Sequence, residues 1–374
     1  MTPAYAWALA FVAAWLAAYL ALRRVRSPRL TVYPFLVIYR IGYSRPAMGA
    51  GPGLRAARLY GYASIPAAAV AIGLFYYLSV TAFVHRYVAP APYAAEEGFV
   101  PLIPGVTVTL GELVYILLAV GVAVLVHELS HAVVARAEGV PVRDAGFLLL
   151  AFIPAAFVEP DEERFRSSPL LSRMKVYAVG VAANLALGLL FMLAFDLLAP
   201  RLADGIAIVS VVGGSPAAAA GLEAGMRIVA INGTPVTTVA QGLELLRRLG
   251  AENASVAAVI GLTVAYKGRL LDVVVHKWAG ASMLGVEVVQ SFSNGWLVSL
   301  VSSMYVVNLG LALINAAPFA FPIPGFGIET DGGQAVREAL SRLGRAGRSA
   351  AAAIELATLL LILSLITIAP IRLP

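Results

Sequence analysis

The sequence predicts a multi-pass α-helical membrane protein of about six transmembrane helices, with a small α/β domain inserted late in the chain. Its 374 residues are 60% hydrophobic and only 13% charged, whereas about 25% of the residues in an ordinary soluble domain are charged. Apolar runs long enough to cross a bilayer core of about 30 Å recur along the chain. Residues 200–290 instead alternate short β-type runs with turns, which is typical of a small globular domain.

Six apolar runs have the length of a transmembrane helix, for which about 20 residues are needed. These runs cover residues 3–22, 64–84, 111–137, 175–198, 296–317 and 350–369. The first is predicted to be a membrane helix and not a cleavable signal, because it is too long and lacks a small-residue cleavage site. The predicted domains are therefore a membrane part over 1–199, the inserted domain over 200–290 and a second membrane part over 291–374.

The loops between these runs differ in their arginine content, which predicts the orientation. Loop 23–63 contains eight Arg, 138–175 contains four Arg and one Lys, and 320–349 contains four Arg, whereas 85–110 contains only Arg86. By the positive-inside rule the basic loops are cytoplasmic, and the inserted domain lies on the non-cytoplasmic side of a cell membrane. The net charge of +6 is thus a topology signal, and no nucleic-acid partner is predicted.

Two histidines and a glutamate interrupt the third apolar run, in HELSH from His127 to His131. Residues four apart on an α-helix lie about 40° apart around its axis and about 6 Å along it, so both imidazoles can bind one metal ion. Glu128 can then act as general base on metal-bound water. The alternative is a packed cluster, with the histidines against neighbouring helices and Glu128 paired with Arg136 or another basic group. Ionisable residues at membrane depth usually mark function, which favours the metal site.

A catalytic zinc ion has three protein ligands and one open position, so a third ligand must come from elsewhere. The chain contains no cysteine, which excludes a thiolate ligand and a cysteine nucleophile. His85 and His276 are expected to have packing or surface roles. The segment INAAPFAFPIPGFGIETDGGQ begins at Ile314 and offers Asp331, for which the alternative role is a helix N-cap. Its prolines predict irregular backbone, which membrane proteins tolerate where it is buried or lines a wet cavity.

The membrane HExxH helix, the Asn-Pro-rich segment ending in Asp-Gly and the intervening PDZ-like module together resemble the site-2 protease family of intramembrane metalloproteases. The resemblance extends from about residue 111 to residue 343. It implies that His127, His131 and Asp331 bind Zn²⁺ and that Glu128 is the catalytic base. It also implies that the loop through Pro322 and Pro324 lies beside the metal.

The resemblance adds two asparagines to the candidate site. GVAAN, from Gly180 to Asn184, matches the family's G-x-x-x-N setting, which implies that Asn184 polarises the scissile carbonyl or fixes the site; an interhelical hydrogen bond is the alternative. Asn315 is a second candidate for contact with the oxyanion. Residues GFGIE before Thr330 depart from the compact family motif and leave the register of this loop open. For residues 146–165 the family suggests a strand-like or re-entrant element that presents an extended substrate.

Within the inserted domain, GGSPAAAAGLEAGMRIVAINGTPV resembles a bacterial-type, circularly permuted PDZ domain. One amphipathic helix is predicted over 238–249, and turns are predicted at the NG of 232–233 and the KG of 267–268. In PDZ domains a peptide C-terminus adds a strand to a sheet edge. The alternative is a rigid plug that limits access. The resemblance places the carboxylate-binding loop at Ser282–Gly285 and predicts peptide contacts with Leu284, Gly285, Val286, Leu243 and Leu246.

These observations predict a zinc-dependent intramembrane endopeptidase whose substrate is a transmembrane protein in the lipid bilayer. Glu128 would deprotonate the zinc-bound water, and the metal would stabilise the developing oxyanion. Three alternatives remain open. A PDZ-bearing membrane scaffold would lack catalysis, and a prenyl-protein protease would use a glutamate as third ligand. A transporter would use the histidines for protons, but no inverted repeats are visible.

Overall fold

The computed structural model describes residues 3–25, 27–42, 44–90, 97–249, 253, 255–281, 284–323 and 326–368, with backbone alone at 3–10, 321–323 and 326–328. The chain divides into two compact units. The membrane unit comprises residues 1–192 and 300–374, and the inserted unit comprises residues 193–299.

Five helices among the described residues are long and apolar enough to cross a membrane, which confirms a multi-pass helical membrane protein. They are α2 (Pro52–Phe83, continued by a π-helical turn to Val88), α3 (Leu110–Ala137), α5 (Leu170–Leu202), α8 (Gly295–Ala316) and α10 (Gly344–Ser364). Helix α1 (Pro3–Leu22) covers the first predicted span. Its apolar part with described side chains, Phe11–Leu22, is shorter than a span, so the sixth span stays a prediction.

Two of these helices begin earlier than their apolar runs. Helix α2 begins at Pro52 instead of residue 64, with proline in its first turn, where the missing N–H removes no intrahelical bond. Helix α5 begins at Leu170 instead of residue 175. A hydropathy pattern identifies only the apolar part of a helix, so it does not include first turns that are polar. At 33 residues, α5 is about 50 Å long, well beyond the thickness of a bilayer core.

A four-stranded antiparallel sheet belongs to the membrane unit. Its strands are, in spatial order, β1 (Leu30–Tyr33), β2 (Leu36–Arg40), β3 (Val142–Leu150) and β4 (Ile153–Pro160). The N-terminal hairpin, for which the sequence predicted no role, extends the sheet through the pairing of β2 with β3. Strand β4 is an edge strand that packs against α3. The strand-like element expected over 146–165 is thus β3 and β4, followed by the short helix α4 (Glu162–Ser167).

The proline-rich segment after α8 forms a hairpin and then a helix. Strands β11 (Ala320–Ile323) and β12 (Phe326–Glu329) pair antiparallel, and α9 (Asp331–Ser341) begins two residues later. Most of the GFGIE insertion is therefore the return strand β12, which explains how the longer motif still delivers Asp331. Pro322 lies in β11, whereas Pro324 lies outside the described residues, so its expected place beside the metal stays a prediction.

The strands of the inserted unit are β5 (Ala203–Val211), β6 (Arg227–Ile231), β7 (Thr234–Pro235), β8 (Ala258–Tyr266), β9 (Arg269–Lys277) and β10 (Val286–Phe292). They form an antiparallel sheet in the order β10-β5-β6-β8-β9, with the short strand β7 paired to β6. Both predicted turns are present, since Asn232, Gly233, Lys267 and Gly268 all have positive φ, as two-residue hairpin loops require. Two helices of this unit are α6 (Pro216–Ala219) and α7 (Val239–Arg248).

Helix α7 is the amphipathic helix predicted over 238–249. Thr238 and Gln241 form a capping box at its start, because each side chain accepts a hydrogen bond from the other's backbone N–H. Leu246 packs against the core of the inserted unit, whereas Leu243 is exposed. The core itself is built from buried aliphatic side chains of the sheet, including Ile206, Ile228, Ile260, Leu262 and Val275.

Candidate metal centre

The HELSH motif places its two imidazoles together on α3, as the four-residue spacing predicts. Their Nε2 atoms lie 3.1 Å apart, and both side chains are largely buried. A capping box between Thr109 and Glu112 fixes the start of this helix. The helix therefore presents two nitrogen donors at one point within an apolar span.

Asp331 brings a carboxylate oxygen to the same point. Its Oδ2 lies 3.1 Å from Nε2 of His127 and 3.4 Å from Nε2 of His131. Asp331 is the first residue of α9, but the N-cap is Thr330, whose Oγ1 accepts a hydrogen bond from the N–H of Gly333 at 3.1 Å. The alternative in which Asp331 serves as the cap is therefore wrong, and its carboxylate is available to a ligand.

The three donor atoms have the spacing of a metal site. Zinc lies about 2.0–2.2 Å from nitrogen and oxygen ligands, so the ligand atoms of a tetrahedral site lie about 3.3–3.5 Å apart. The observed separations of 3.1, 3.1 and 3.4 Å are close to this. Oδ2 of Asp331 is buried and accepts no hydrogen bond from the described residues. A buried carboxylate oxygen needs a partner, and a cation bound among the three atoms would supply it.

Helix α5 orients both imidazoles. Nδ1 of His131 lies 2.7 Å from the carbonyl oxygen of Val176, so this nitrogen carries the proton and Nε2 keeps its lone pair for a metal. Asn184 is fully buried with its amide 3.3 Å from Nδ1 of His127. The two amide orientations are interchangeable, and turning Oδ1 toward the ring lets Nδ1–H donate to it. This contact supports the site-fixing role of Asn184.

Gly180 allows α5 to approach the two histidines. A Cβ atom at this position would lie 2.5 Å from Cε1 of His127 and 2.5 Å from Nε2 of His131, closer than non-bonded atoms approach. The G-x-x-x-N pattern thus has a physical basis, because glycine makes room for the rings and Asn184 holds one of them a turn later. The sequence pattern includes Gly180, but it does not by itself predict this steric role.

The two glycines after Asp331 allow a close approach between α9 and the end of α8. A Cβ atom on Gly332 would lie 1.9 Å from the carbonyl oxygen of Ala316, and one on Gly333 would lie 2.8 Å from that of Phe319. The buried hydroxyl of Thr330 donates to the carbonyl oxygen of Ala317 at 2.6 Å. The first turn of α9 therefore packs directly on the end of α8. The capping role of Thr330 was not predicted from the sequence, although a threonine immediately before a helix is a known signal for the start of a helix.

Glu128 faces the edge of strand β4 and not a basic side chain. Its Oε2 accepts a hydrogen bond from the N–H of Val158 at 3.0 Å, whereas Arg136 donates to the carbonyl oxygen of Pro46 at 2.8 Å. The expected Glu128–Arg136 pair of the alternative interpretation is thus not formed. Glu128, the three candidate ligands and Asn315 line one cavity of about 530 Å³. Asn315 lies in its wall, and no hydrogen bond of its side chain is described.

The remaining histidines lie apart from this group. Nδ1 of His85 pairs with Glu97 at 2.9 Å, and His276 is exposed on strand β9. Within the described part of the chain, His127, His131 and Asp331 form the group of three side chains with metal-binding geometry.

The predicted peptide-binding residues lie around β10, an edge strand beside α7. Val286 begins β10, and the carbonyl oxygen of Gly285 accepts a hydrogen bond from Val212 at 2.9 Å. Leu284 is only 5% exposed and packs into the core, and its carbonyl oxygen accepts a hydrogen bond from the N–H of Ala217 at 3.0 Å. Leu243 is exposed and Leu246 partly buried on α7. Ser282 and Met283 of the expected loop lie outside the described residues.

Comparison with known proteins gives matches, of which the match to a family model includes the candidate metal centre. The model of peptidase family M50 matches residues 115–366. The chain is 29% identical over 157 residues to a membrane-bound transcription factor site-2 protease homolog of Arabidopsis thaliana, covering 40% of this chain and 30% of that protein. It is 26% identical over 232 residues to an uncharacterized protein of Methanocaldococcus jannaschii, covering 61% and 56%. The chain thus spans 30% and 56% of the length of these two relatives.

Proposed function

Because the chain belongs to peptidase family M50, we propose that it is a zinc-dependent intramembrane endopeptidase that cleaves transmembrane segments of membrane proteins. The observation that carries this proposal is the convergence of His127, His131 and Asp331 beside Glu128 on an apolar helix. Ionisable residues are costly at membrane depth, and the three donors have the spacing of a metal site.

In this proposal, Nε2 of His127, Nε2 of His131 and Oδ2 of Asp331 hold the zinc ion, which when bound polarises the substrate carbonyl and lowers the pKa of water. Glu128 takes the proton of the attacking water and returns it to the departing amine. The hydrogen bond from Val158 to Oε2 fixes the Glu128 carboxylate and leaves Oε1 free for this proton. Val176 and Asn184 hold the imidazoles in the required orientation.

Strand β4 is suited to present the substrate. The N–H of Val158 points away from β3 and toward Glu128, so alternate residues of β4 offer their backbone groups at the free edge of the sheet. A substrate in extended form can add there as a further strand. Extension is required because the carbonyl groups of an intact helix are already hydrogen-bonded within it. The edge lies beside the proposed catalytic base, which supports this role for residues 146–165.

For the inserted unit we propose a PDZ-like domain that limits access or binds a peptide C-terminus. Its edge strand β10 lies beside α7, an arrangement that provides a groove for an added strand. Leu284 is buried, and the carbonyl oxygens of Leu284 and Gly285 accept hydrogen bonds from Ala217 and Val212. The backbone N–H groups of this loop are therefore the groups proposed to bind a peptide carboxylate. The basic loops support an orientation with this unit on the non-cytoplasmic side of the membrane and the metal centre toward the cytoplasm.

The proposal can be tested with the purified protein reconstituted in proteoliposomes together with single-span reporter substrates. The transmembrane helix of each reporter contains glycine and proline, which weaken it, and is flanked by two soluble tags. We expect a cut inside the span, mapped by mass spectrometry. Removal of zinc with 1,10-phenanthroline should abolish it and added Zn²⁺ should restore it, because the bound metal would supply the Lewis acid that polarises the scissile carbonyl. Chelator-resistant cleavage, or cuts confined to the tags, would contradict the proposal. Zinc binding without any cleavage would favour the scaffold. Removal of the residues that follow the prenylated cysteine of a prenylated peptide, offered in parallel, would favour a prenyl-protein protease.

A further inference from the structure

Two basic residues in the first turns of α5 reach toward the two helices that carry the candidate ligands. Lys175 pairs with Glu138, at the end of α3, and Arg173 pairs with Glu338, on α9. Residues two apart on a helix point about 200° away from each other, so these side chains leave α5 in nearly opposite directions. Helix α5 is thus joined by ion pairs to both ligand-bearing helices.

The Lys175–Glu138 pair is built into the protein interior. Nζ lies 2.9 Å from Oε1 of Glu138, and the two side chains are only 3% and 8% exposed. Ser172 donates to the other carboxylate oxygen at 2.5 Å, and the ammonium group lies 3.5 Å from the ring centroid of Tyr62. Burial raises the pKa of Glu138, but the hydrogen bonds from Lys175 and Ser172 outweigh it and hold that pKa below its ordinary value. The Glu138 carboxylate is therefore ionised at neutral pH.

The guanidinium group of the Arg173–Glu338 pair is also held by backbone carbonyl groups. Nη2 of Arg173 lies 2.6 Å from Oε1 of Glu338, and Nη1 donates to the carbonyl oxygens of Arg166, at 2.9 Å, and of Ser168. These backbone contacts hold the guanidinium in one place. They make Arg173 a rigid connection between α5 and α9, since the planar guanidinium group retains little freedom.

The two carboxylates occupy equivalent places relative to the candidate ligands. Glu138 follows His131 by seven residues, and Glu338 follows Asp331 by seven residues. Seven residues are about two helical turns, so each carboxylate lies on the same side of its helix as the ligand, about 10 Å along the axis. Val176, the residue after Lys175, holds the imidazole of His131 directly. The same turns of α5 therefore contact both ligand-bearing helices on their ligand sides.

We propose that Arg173 and Lys175 are positioning residues, which hold α3 and α9 across α5 and thereby set the distance from the two imidazoles to the Asp331 carboxylate. This inference rests on the proposed zinc site. Metal ligands must be held within about 0.5 Å of their working geometry, and loss of outer-shell support typically weakens metal binding about 10–100-fold. Buried ion pairs contribute little net stability compared with apolar pairs of similar volume, so positioning and stability are separable.

The test measures zinc affinity by competition with a chromophoric chelator in detergent-purified protein. The variants are the charge-free pairs Lys175→Met with Glu138→Leu and Arg173→Met with Glu338→Leu. Each removes both partners, so no uncompensated charge stays buried. We expect melting temperatures close to wild type and zinc binding weakened about 10–100-fold. The matched control is Arg166→Met with Glu162→Met, a neighbouring pair that is 78% and 72% exposed and should leave zinc affinity unchanged.

Wild-type zinc affinity in both charge-free double variants would overturn the positioning role of Arg173 and Lys175. It would not contradict the proposed zinc site. A wild-type protein that binds no zinc would overturn the proposed function and this inference with it. Should a charge-free pair fail to fold, Arg173→Lys and Lys175→Arg replace it, because they keep the charge and change the reach and donor geometry. These variants should bind zinc several-fold more weakly than wild type, and unchanged affinity in them would equally overturn the positioning role.

Discussion

Replacement of Glu128 by glutamine is expected to lower the rate of reporter cleavage by about 10²–10⁴-fold, the usual contribution of a general acid–base group, and to leave zinc content unchanged. Glutamine has nearly the same shape and keeps an oxygen that accepts the hydrogen bond from Val158. It cannot take a proton from the attacking water. Cleavage of the transmembrane reporter and bound zinc should be measured on the same preparation, so that a lost metal is not mistaken for a lost base.

Glu159→Gln is the matched control for this prediction. Glu159 is an exposed carboxylate that lines the same cavity from the neighbouring position on β4. The same chemical change there should leave the cleavage rate within a few-fold of wild type. A Glu128→Gln protein that binds zinc and cleaves at the wild-type rate would show that another group is the base.

Replacement of Gly180 by alanine is expected to weaken zinc binding about 10–100-fold, and cleavage should fall with it. The new methyl group would lie 2.5 Å from both imidazole rings, so the rings or α5 must move. Overpacking of this kind costs typically 1–3 kcal/mol, and about 1.4 kcal/mol corresponds to a tenfold change in affinity. Because the displaced atoms include Nε2 of His131, the cost falls on the metal-binding geometry. Chelator competition measures it directly.

Gly188→Ala separates this effect from general overpacking. Gly188 lies on the same helix, and a Cβ atom there would lie 2.6 Å from the side chain of Leu309. The variant should therefore lower the melting temperature without weakening zinc binding. An unchanged zinc affinity in Gly180→Ala, or an equal loss in Gly188→Ala, would show that the close approach at Gly180 does not protect the metal centre.

Much of the candidate site follows from local sequence. Both histidines and Glu128 lie within five residues of one helix, so helical geometry alone predicts that the imidazoles meet. The insertion before Thr330 left the register of the proline-rich loop open, because extra residues can shift the pairing of the loop without displacing the ligand that follows. The structure accommodates most of them as the return strand β12. Asp331 still reaches the histidines, because Gly332 and Gly333 allow α9 to pack against the end of α8.

Contacts between segments that are distant in the chain could not be predicted from the sequence. The pairing of β2 with β3 joins residues about 110 positions apart, and its register leaves no signal in either strand alone. The ion pairs of Arg173 and Lys175 are also long-range. Their basic residues were counted only as a topology signal, since charge in a loop shows no partner. The steric role of Gly180 depends on two rings about 50 residues earlier, so only the assembled helices reveal it.

His127, His131 and Asp331 together are expected to hold one zinc ion. The most direct measurement is the zinc content of the detergent-purified protein, with wild type compared to His131→Ala and Asp331→Ala. No substrate is needed. A three-ligand site predicts about one zinc per chain in wild type and strong depletion in both variants, because two remaining ligands bind zinc poorly. Full zinc content in Asp331→Ala, or no zinc in the wild-type protein after zinc is supplied, would show that these three residues do not form a zinc site.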